Sequence, residues 1–193
     1  MIKKIGLLGG SFNPIHEAHT SVANYFVEHY NGDKVIFVPC NVSPFKSNES
    51  IAPNNHRLEM VKLAIENNSL FEVSEFELEN SGISYTYQTI DYFKKLYPED
   101  NLCLLVGGDQ AENFHNWKNW QYILDNAELY VALRKGYKIP SYDFESYKKA
   151  TYMEMPFIEV SASEIREKIV NRATSIEFLN PKVKSYIEEH KVY

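Results

Sequence analysis

The 193-residue chain is 44% hydrophobic and 24% charged, which suits one domain with a sizeable core. Its formal net charge of -6 leaves no basic excess for a nucleic-acid backbone, although a local basic pocket for one small phosphate compound remains compatible with it. No run approaches the ~18 apolar residues of a membrane span, and the start, MIKKIGLLGG, is too short in its apolar part for a secretory signal, so the expected location is the cytoplasm.

Ile5–Leu8 reads as a buried strand that ends in Gly9 and Gly10, and Thr20–Tyr30 reads as a helix. KVIFVP (Lys34–Pro39) is a second strand, rich in β-branched and aromatic residues and stopped by proline. A long polar loop, Asn41–Asn55, follows. The helix His56–Glu66 places Leu58, Val61, Ala64 and Ile65 on one face. FEVSEFEL (Phe71–Leu78) alternates apolar and polar residues, as a half-buried strand does, and Thr86–Leu96 is helical. LCLLVGGD (Leu102–Asp109) is a strand that again runs into glycines. The pattern then predicts a helix over Asn119–Leu124, a strand over Leu129–Arg134 and a second long loop over Lys135–Lys149. A short strand at Tyr152–Met155, a helix opening at Ser161 and a helix over Pro181–His190 complete the chain. Cys40 and Cys103 sit in apolar contexts without metal-ligand spacing and read as reduced core thiols. Strands alternating with helices mean an α/β fold with a mostly parallel sheet, in which ligands bind beyond the carboxyl ends of the strands.

Five stretches carry polar chemistry at such ends. In LLGGSFNPIHEAH, His16 and His19 fall where a strand gives way to a helix, and read alone they fit a capped turn or a phosphate cradle. A zinc site there lacks further Cys or His at ligand spacing. In VSASEIREKIV, Ser161 and Glu164 have capping-box spacing, and Ser163 and Arg166 add a hydroxyl and a guanidinium to the first turns. Lys46, in SPFKSNES, is a cation on a long loop. In GGDQAENFHNWKNW, Asp109 follows a buried strand and could accept ribose hydroxyls, while Trp117 and Trp120 read as core or as a stacking plate. GISYTYQTI puts Ser84, Tyr85 and Thr86 at a junction, where Ser84 or Thr86 as an ordinary N-cap is the simplest reading.

The order and spacing of these stretches resemble the nucleotidylyltransferase superfamily, with its Gly-Gly-[ST]-Phe-[DN]-Pro-x-His-x-x-His turn and late Ser-x-[ST]-x-Ile-Arg helix. Within it the chain is similar to the bacterial nicotinate-nucleotide adenylyltransferase family. GGSFNPIHEAH, SPFK before HRLEMVKLAI, GISYTYQTI, GGDQAENFHNWKNW and VSASEIR, followed by FLNPKVKSYIEEHKVY, carry that similarity, which spans nearly the whole chain. Ala18, Asn13, Phe45 and the Ala162–Ser163 pair depart from the commoner family residues, and Phe45 leaves the loop one polar contact fewer.

The resemblance implies a Rossmann-like fold with helices on both faces, as one domain over 1–193 with a small helical part at 161–193. It also implies adenylyl transfer from ATP to nicotinate mononucleotide, giving deamido-NAD and pyrophosphate. Mg²⁺ accompanies ATP, kept by substrate oxygens and water. His16, His19, Lys46 and Arg166 are then the catalytic set. Gly9, Gly10, Ser11, Phe12, Gly107, Asp109, Ser161 and Ser163 join His16, His19 and Arg166 in binding ATP. Ser84, Tyr85, Thr86, Asp109 and Trp117 bind the mononucleotide. Nicotinamide mononucleotide or another phosphate acceptor is the rival substrate, and a non-catalytic ATP-binding module the rival class. An oxidoreductase Rossmann domain is disfavoured, because no Gly-x-Gly-x-x-Gly follows the first strand. Neither a macromolecular nucleic acid nor a membrane is an expected partner, and the sequence does not indicate an oligomeric state.

Overall fold

The structure, a computed structural model, describes residues 1–45, 51–134, 149–156 and 158–193. Its strands are β1 (Lys4–Gly10), β2 (Lys34–Pro39), β3 (Phe71–Val73), β4 (Asn101–Gly107), β5 (Glu128–Arg134) and β6 (Thr151–Met155). Its helices are α1 (Glu17–Tyr30), α2 (Asn54–Ile65), α3 (Phe76–Glu79), α4 (Thr86–Leu96), α5 (Gly108–Glu112), α6 (Trp120–Asn126), α7 (Ala162–Val170) and α8 (Pro181–His190), with a 3₁₀ turn at Phe114–Asn116. The strands form one sheet in the order β3-β2-β1-β4-β5-β6, and every pairing is parallel.

The central strands are buried on both faces, which is why they read as unbroken apolar runs. Leu8, Val35, Phe37, Cys103 and Leu105 face one core with Phe26 of α1, Met60 and Val61 of α2, Ile165 of α7, and Val183 and Ile187 of α8. Ile5, Leu7, Ile36, Val38, Leu104 and Val106 face the other, with Ile90 and Phe93 of α4, Phe114 and Ile123. Cys103 is a buried core thiol, as expected, whereas Cys40 is only half-buried; burial pushes the Cys103 thiol up to about 12.

Two expected elements differ. The strand predicted over Phe71–Leu78 pairs with β2 only from Phe71 to Val73. Beyond it the Ser74 hydroxyl accepts from Phe76 N–H, turning the chain into α3 and burying Glu77. The apolar face of α2 is Met60, Val61 and Ile65 together with Arg57, whereas Leu58 is half-buried. The second predicted loop lies almost wholly outside the described residues.

The sheet has one topological switch. From β1 the chain runs outward through β2 to β3, then returns to place β4 on the other side of β1. β1 and β4 pair from Lys4–Asn101 as far as Leu8–Leu105. Past that point β1 follows β2 to the Gly10–Pro39 pair, and β4 follows β5 to Gly107–Ala132. The two strands therefore part at their carboxyl ends, and a crevice opens between Gly9–Gly10 and Val106–Gly107, where open α/β sheets bind ligands.

Candidate active site

The loop Ser11–His16 crosses the mouth of this crevice. Phe12 adopts a left-handed backbone, φ 45°, which costs a non-glycine residue about 1–2 kcal/mol. Its ring repays this by full burial, edge-on to His19 at 5.1 Å and tilted against Phe37 at 5.9 Å. Gly10 lies beneath it, where a Cβ would sit a tight 3.1 Å from the Phe12 ring.

His16 is the N-cap of α1 and His19 the third residue of the helix, so both histidines belong to its first turn. Their rings lie 3.8 Å apart at 31°. The His16 backbone N–H donates to His19 Nδ1 at 3.2 Å. A backbone amide can only donate, so His19 Nδ1 is unprotonated and its ring proton sits on Nε2. The helix start thus carries a fixed Nε2–H donor beside its own positive dipole end, a pairing suited to an anion.

Arg166 reaches this loop from α7. Its Nη1 donates to the Asn13 carbonyl at 2.8 Å and its Nη2 to Ser163 Oγ at 3.1 Å. Ser161 caps α7 through a full capping box: Glu164 N–H donates to Ser161 Oγ and Ser161 N–H to the Glu164 carboxylate. The structure thus brings His16, His19, Ser11, Phe12, Ser163 and Arg166 to one place, although 153 residues separate Asn13 from Arg166. Lys46 lies outside the described residues.

On the β4 side, Gly107 N–H donates to Gln110 Oε1 at 3.1 Å. Asp109 folds back so that a Cβ on Gly107 would meet its carboxylate at 2.7 Å, and any side chain there would push that carboxylate aside. Tyr85, rather than Ser84 or Thr86, is the N-cap residue of α4, and no side chain caps it. Ser84 instead ties two loops together, its N–H donating to the Val42 carbonyl and its hydroxyl accepting from Asn41 N–H. Below it, Glu77 accepts from Thr89 Oγ1 at 2.5 Å, and burial raises its carboxyl above the ordinary range. Trp117 packs on Phe114 at 5.0 Å and faces Phe45 at 6.0 Å, and Lys118 stands over the Tyr85 ring at 4.3 Å. Phe45, expected as a lost polar contact, supplies an apolar wall opposite Trp117 instead.

Arg57 was not legible as a site residue. It is wholly buried, yet it donates to the carbonyls of Ala52 (3.0 Å), Ser11 (2.7 Å) and Cys40 (2.7 Å) and to Asn54 Oδ1 (2.5 Å). These four partners are neutral, so a cation stands behind the loop, and burial lowers its pKa. The available signal was an arginine at helical spacing from Met60 and Val61, in an otherwise apolar face.

Residues 7–168 match the family model described as cytidylyltransferase-like. A Bacillus subtilis relative, nicotinate-nucleotide adenylyltransferase, is 33% identical over all of this chain and 99% of its own. A Clostridium tetani relative, named a probable nicotinate-nucleotide adenylyltransferase, is 35% identical over the full length of both chains. A solved structure of the Plasmodium falciparum nicotinic acid mononucleotide adenylyltransferase complexed with NaAD matches with a TM-score of 0.75 over 99% of this chain and 97% of its own, at 22% identity, and shares the fold. The parted strands, the histidine turn and the arginine on α7 thus sit in a chain that belongs to the cytidylyltransferase-like family, among its nicotinate-nucleotide adenylyltransferases.

Proposed function

We propose that this chain transfers the adenylyl group of ATP to nicotinate mononucleotide, as the names of its full-length relatives indicate for them. A 5′-phosphate oxygen of the mononucleotide attacks the α-phosphorus of ATP. The bond from that phosphorus to the bridging oxygen of the β-phosphate breaks, pyrophosphate leaves, and deamido-NAD forms. The attacking group is already an anion, so no general base is needed. The protein has to align the groups and stabilise charge on the phosphate oxygens.

The observation that carries this reading is Arg166 gripping the Asn13 carbonyl, which joins a guanidinium to the His16–His19 turn at the parting of β1 and β4. His19 Nε2–H and His16 serve the α-phosphate, and Arg166 with Lys46 serves the leaving β- and γ-phosphates. Lys46 takes its role from the family resemblance alone. Gly9, Gly10, Ser11, Phe12, Gly107, Ser161 and Ser163 border the ATP cleft, and Asp109 takes ribose hydroxyls. The uncapped start of α4 at Tyr85–Thr86 offers backbone N–H groups to the nicotinate carboxylate, and Trp117 a ring face. Ser84 serves there by holding the Asn41–Val42 segment.

Mg²⁺ belongs to this reading as part of the ATP complex. Imidazoles and guanidinium surround the loop, and among the described residues no group of three or more His, Cys, Asp or Glu is placed to hold a metal. That donor set fits an ion carried by phosphate oxygens and water, where it offsets their charge. Residues 161–193 act within the same domain, since α7 and α8 share a core with α1 and α2. Among the described residues no helix is long and apolar enough to cross a membrane. A cytoplasmic location is part of the same proposal.

The test is pyrophosphate release from ATP and Mg²⁺ with nicotinate or nicotinamide mononucleotide as acceptor. At least tenfold higher kcat/KM with nicotinate is expected. Preference for the amide would overturn the acceptor, and release with neither would overturn the reaction.

A further inference from the structure

Asn13 is the hub of the catalytic loop. It is 1% exposed, and both ends of its amide-bearing unit are held. Its carbonyl accepts from Arg166, and its Oδ1 accepts from Ala52 N–H at 3.0 Å and from the Tyr193 hydroxyl at 2.9 Å. The Ala52 amide is only a donor, so Oδ1, not Nδ2, faces this corner, and Tyr193 must be donating. The phenol is suited to that: its burial raises its pKa, while Arg166 and Arg57 stand near enough to oppose the rise. The Tyr193 ring packs against the core shared by α1, α2 and α8.

A second bond ties the same part of the chain to the same turn. The first amide of α1, Glu17 N–H, donates to the Phe178 carbonyl at 2.9 Å. The histidine turn is therefore held at both sides by the segments that flank α8, at Phe178 before it and at Tyr193 after it. Through Ala52 the Tyr193 contact also couples the turn to the segment that follows residues 46–50.

We propose that Tyr193 is a positioning residue for adenylyl transfer, setting the Asn13 main chain through Oδ1 so that Arg166 and the histidine turn share one geometry. The proposal rests on the adenylyl-transfer reading. Tyr193 touches no reacting atom; it fixes the group that Arg166 grips. Removing its hydroxyl should therefore lower turnover more than it weakens binding of the acceptor.

Tyr193→Phe keeps the ring and removes one donor. Its kcat is expected to fall about fivefold to tenfold, the scale of one buried hydrogen bond, with the KM for nicotinate mononucleotide within twofold of the parent. Amide hydrogen exchange should speed up at residues 11–16 and stay unchanged in α4. A kcat within twofold of the parent, with unchanged exchange in the turn, overturns the proposal. Should Tyr193→Phe fail to fold, Asn13→Asp and Asn13→Ala decide the matter. The carboxylate keeps both bonds to the side-chain oxygen, so Asn13→Asp should stay within threefold of the parent while Asn13→Ala loses at least tenfold. Equal turnover in the two overturns the proposal. Lack of pyrophosphate release from the unsubstituted protein would instead defeat the adenylyl-transfer reading, and the exchange measurement, which needs no turnover, would still report on the Tyr193 contact.

Discussion

Replacing Arg57 by methionine removes the donors beneath the Ser11–His16 loop. Three main-chain carbonyls, of Ser11, Cys40 and Ala52, lose their guanidinium bonds in a wholly buried place. A stranded buried acceptor costs about 1–3 kcal/mol. Methionine spares the protein the burial of a cation, which offsets part of that loss and favours the lower end, about 3 kcal/mol in all. For a chain of this size each kcal/mol moves the melting temperature by about 2–4 °C, so a fall of about 6–12 °C is expected. Turnover should drop as well, by about tenfold, because the Ser11 carbonyl anchors the turn that leads to His16. Arg57→Lys keeps the charge, but one ammonium cannot span three carbonyls, so it should recover only part of both losses. Thermal unfolding followed by circular dichroism, with pyrophosphate release measured well below the transition, gives both numbers. A methionine variant that melts within 2 °C of the parent and turns over undiminished would refute the reasoning.

Two further outcomes follow from the site. His19→Ala should keep the fold and lose about 10²–10³ in kcat, the scale of one charge-stabilising donor; folded protein with turnover within threefold of the parent contradicts the assignment. Burial favours the protonated Glu77 carboxyl, so its contribution to stability is complete below the ordinary carboxylate pKa and is lost as pH rises through the raised folded value. Glu77→Gln cannot ionise and should therefore gain on the parent in urea unfolding as pH rises above the ordinary carboxylate range; parallel stability curves would exclude this role for Glu77.

Much of the architecture was legible because burial on both faces leaves a plain trace. Lys34–Pro39 and Thr86–Leu96 begin and end where the residue pattern predicts, and β4 is the apolar run that ends in glycines. The alternation in Phe71–Leu78 misled for a local reason. It continues past the last residue that β2 can pair, and a serine turn then bends the chain into α3. The helix after the histidine turn starts at Glu17, three residues before the predicted Thr20, since His16 takes the cap position that propensity reserves for Ser, Asp or Asn. At the site, the motifs marked His16, His19 and Arg166, but not what holds them. Asn13, Arg57 and Tyr193 work through main-chain groups and the side-chain amide oxygens of Asn13 and Asn54, contacts that leave no periodicity behind.

The contact between Arg166 and Asn13 also sets an order of events during synthesis. The histidine turn emerges first and must wait for a partner 153 residues later in the chain. At about 5–20 residues per second that delay is about 8–30 s, long enough for the early strands and helices to collapse. A nascent chain can thus hold β1, α1 and β2 while the corner that Arg166 completes is still unfinished.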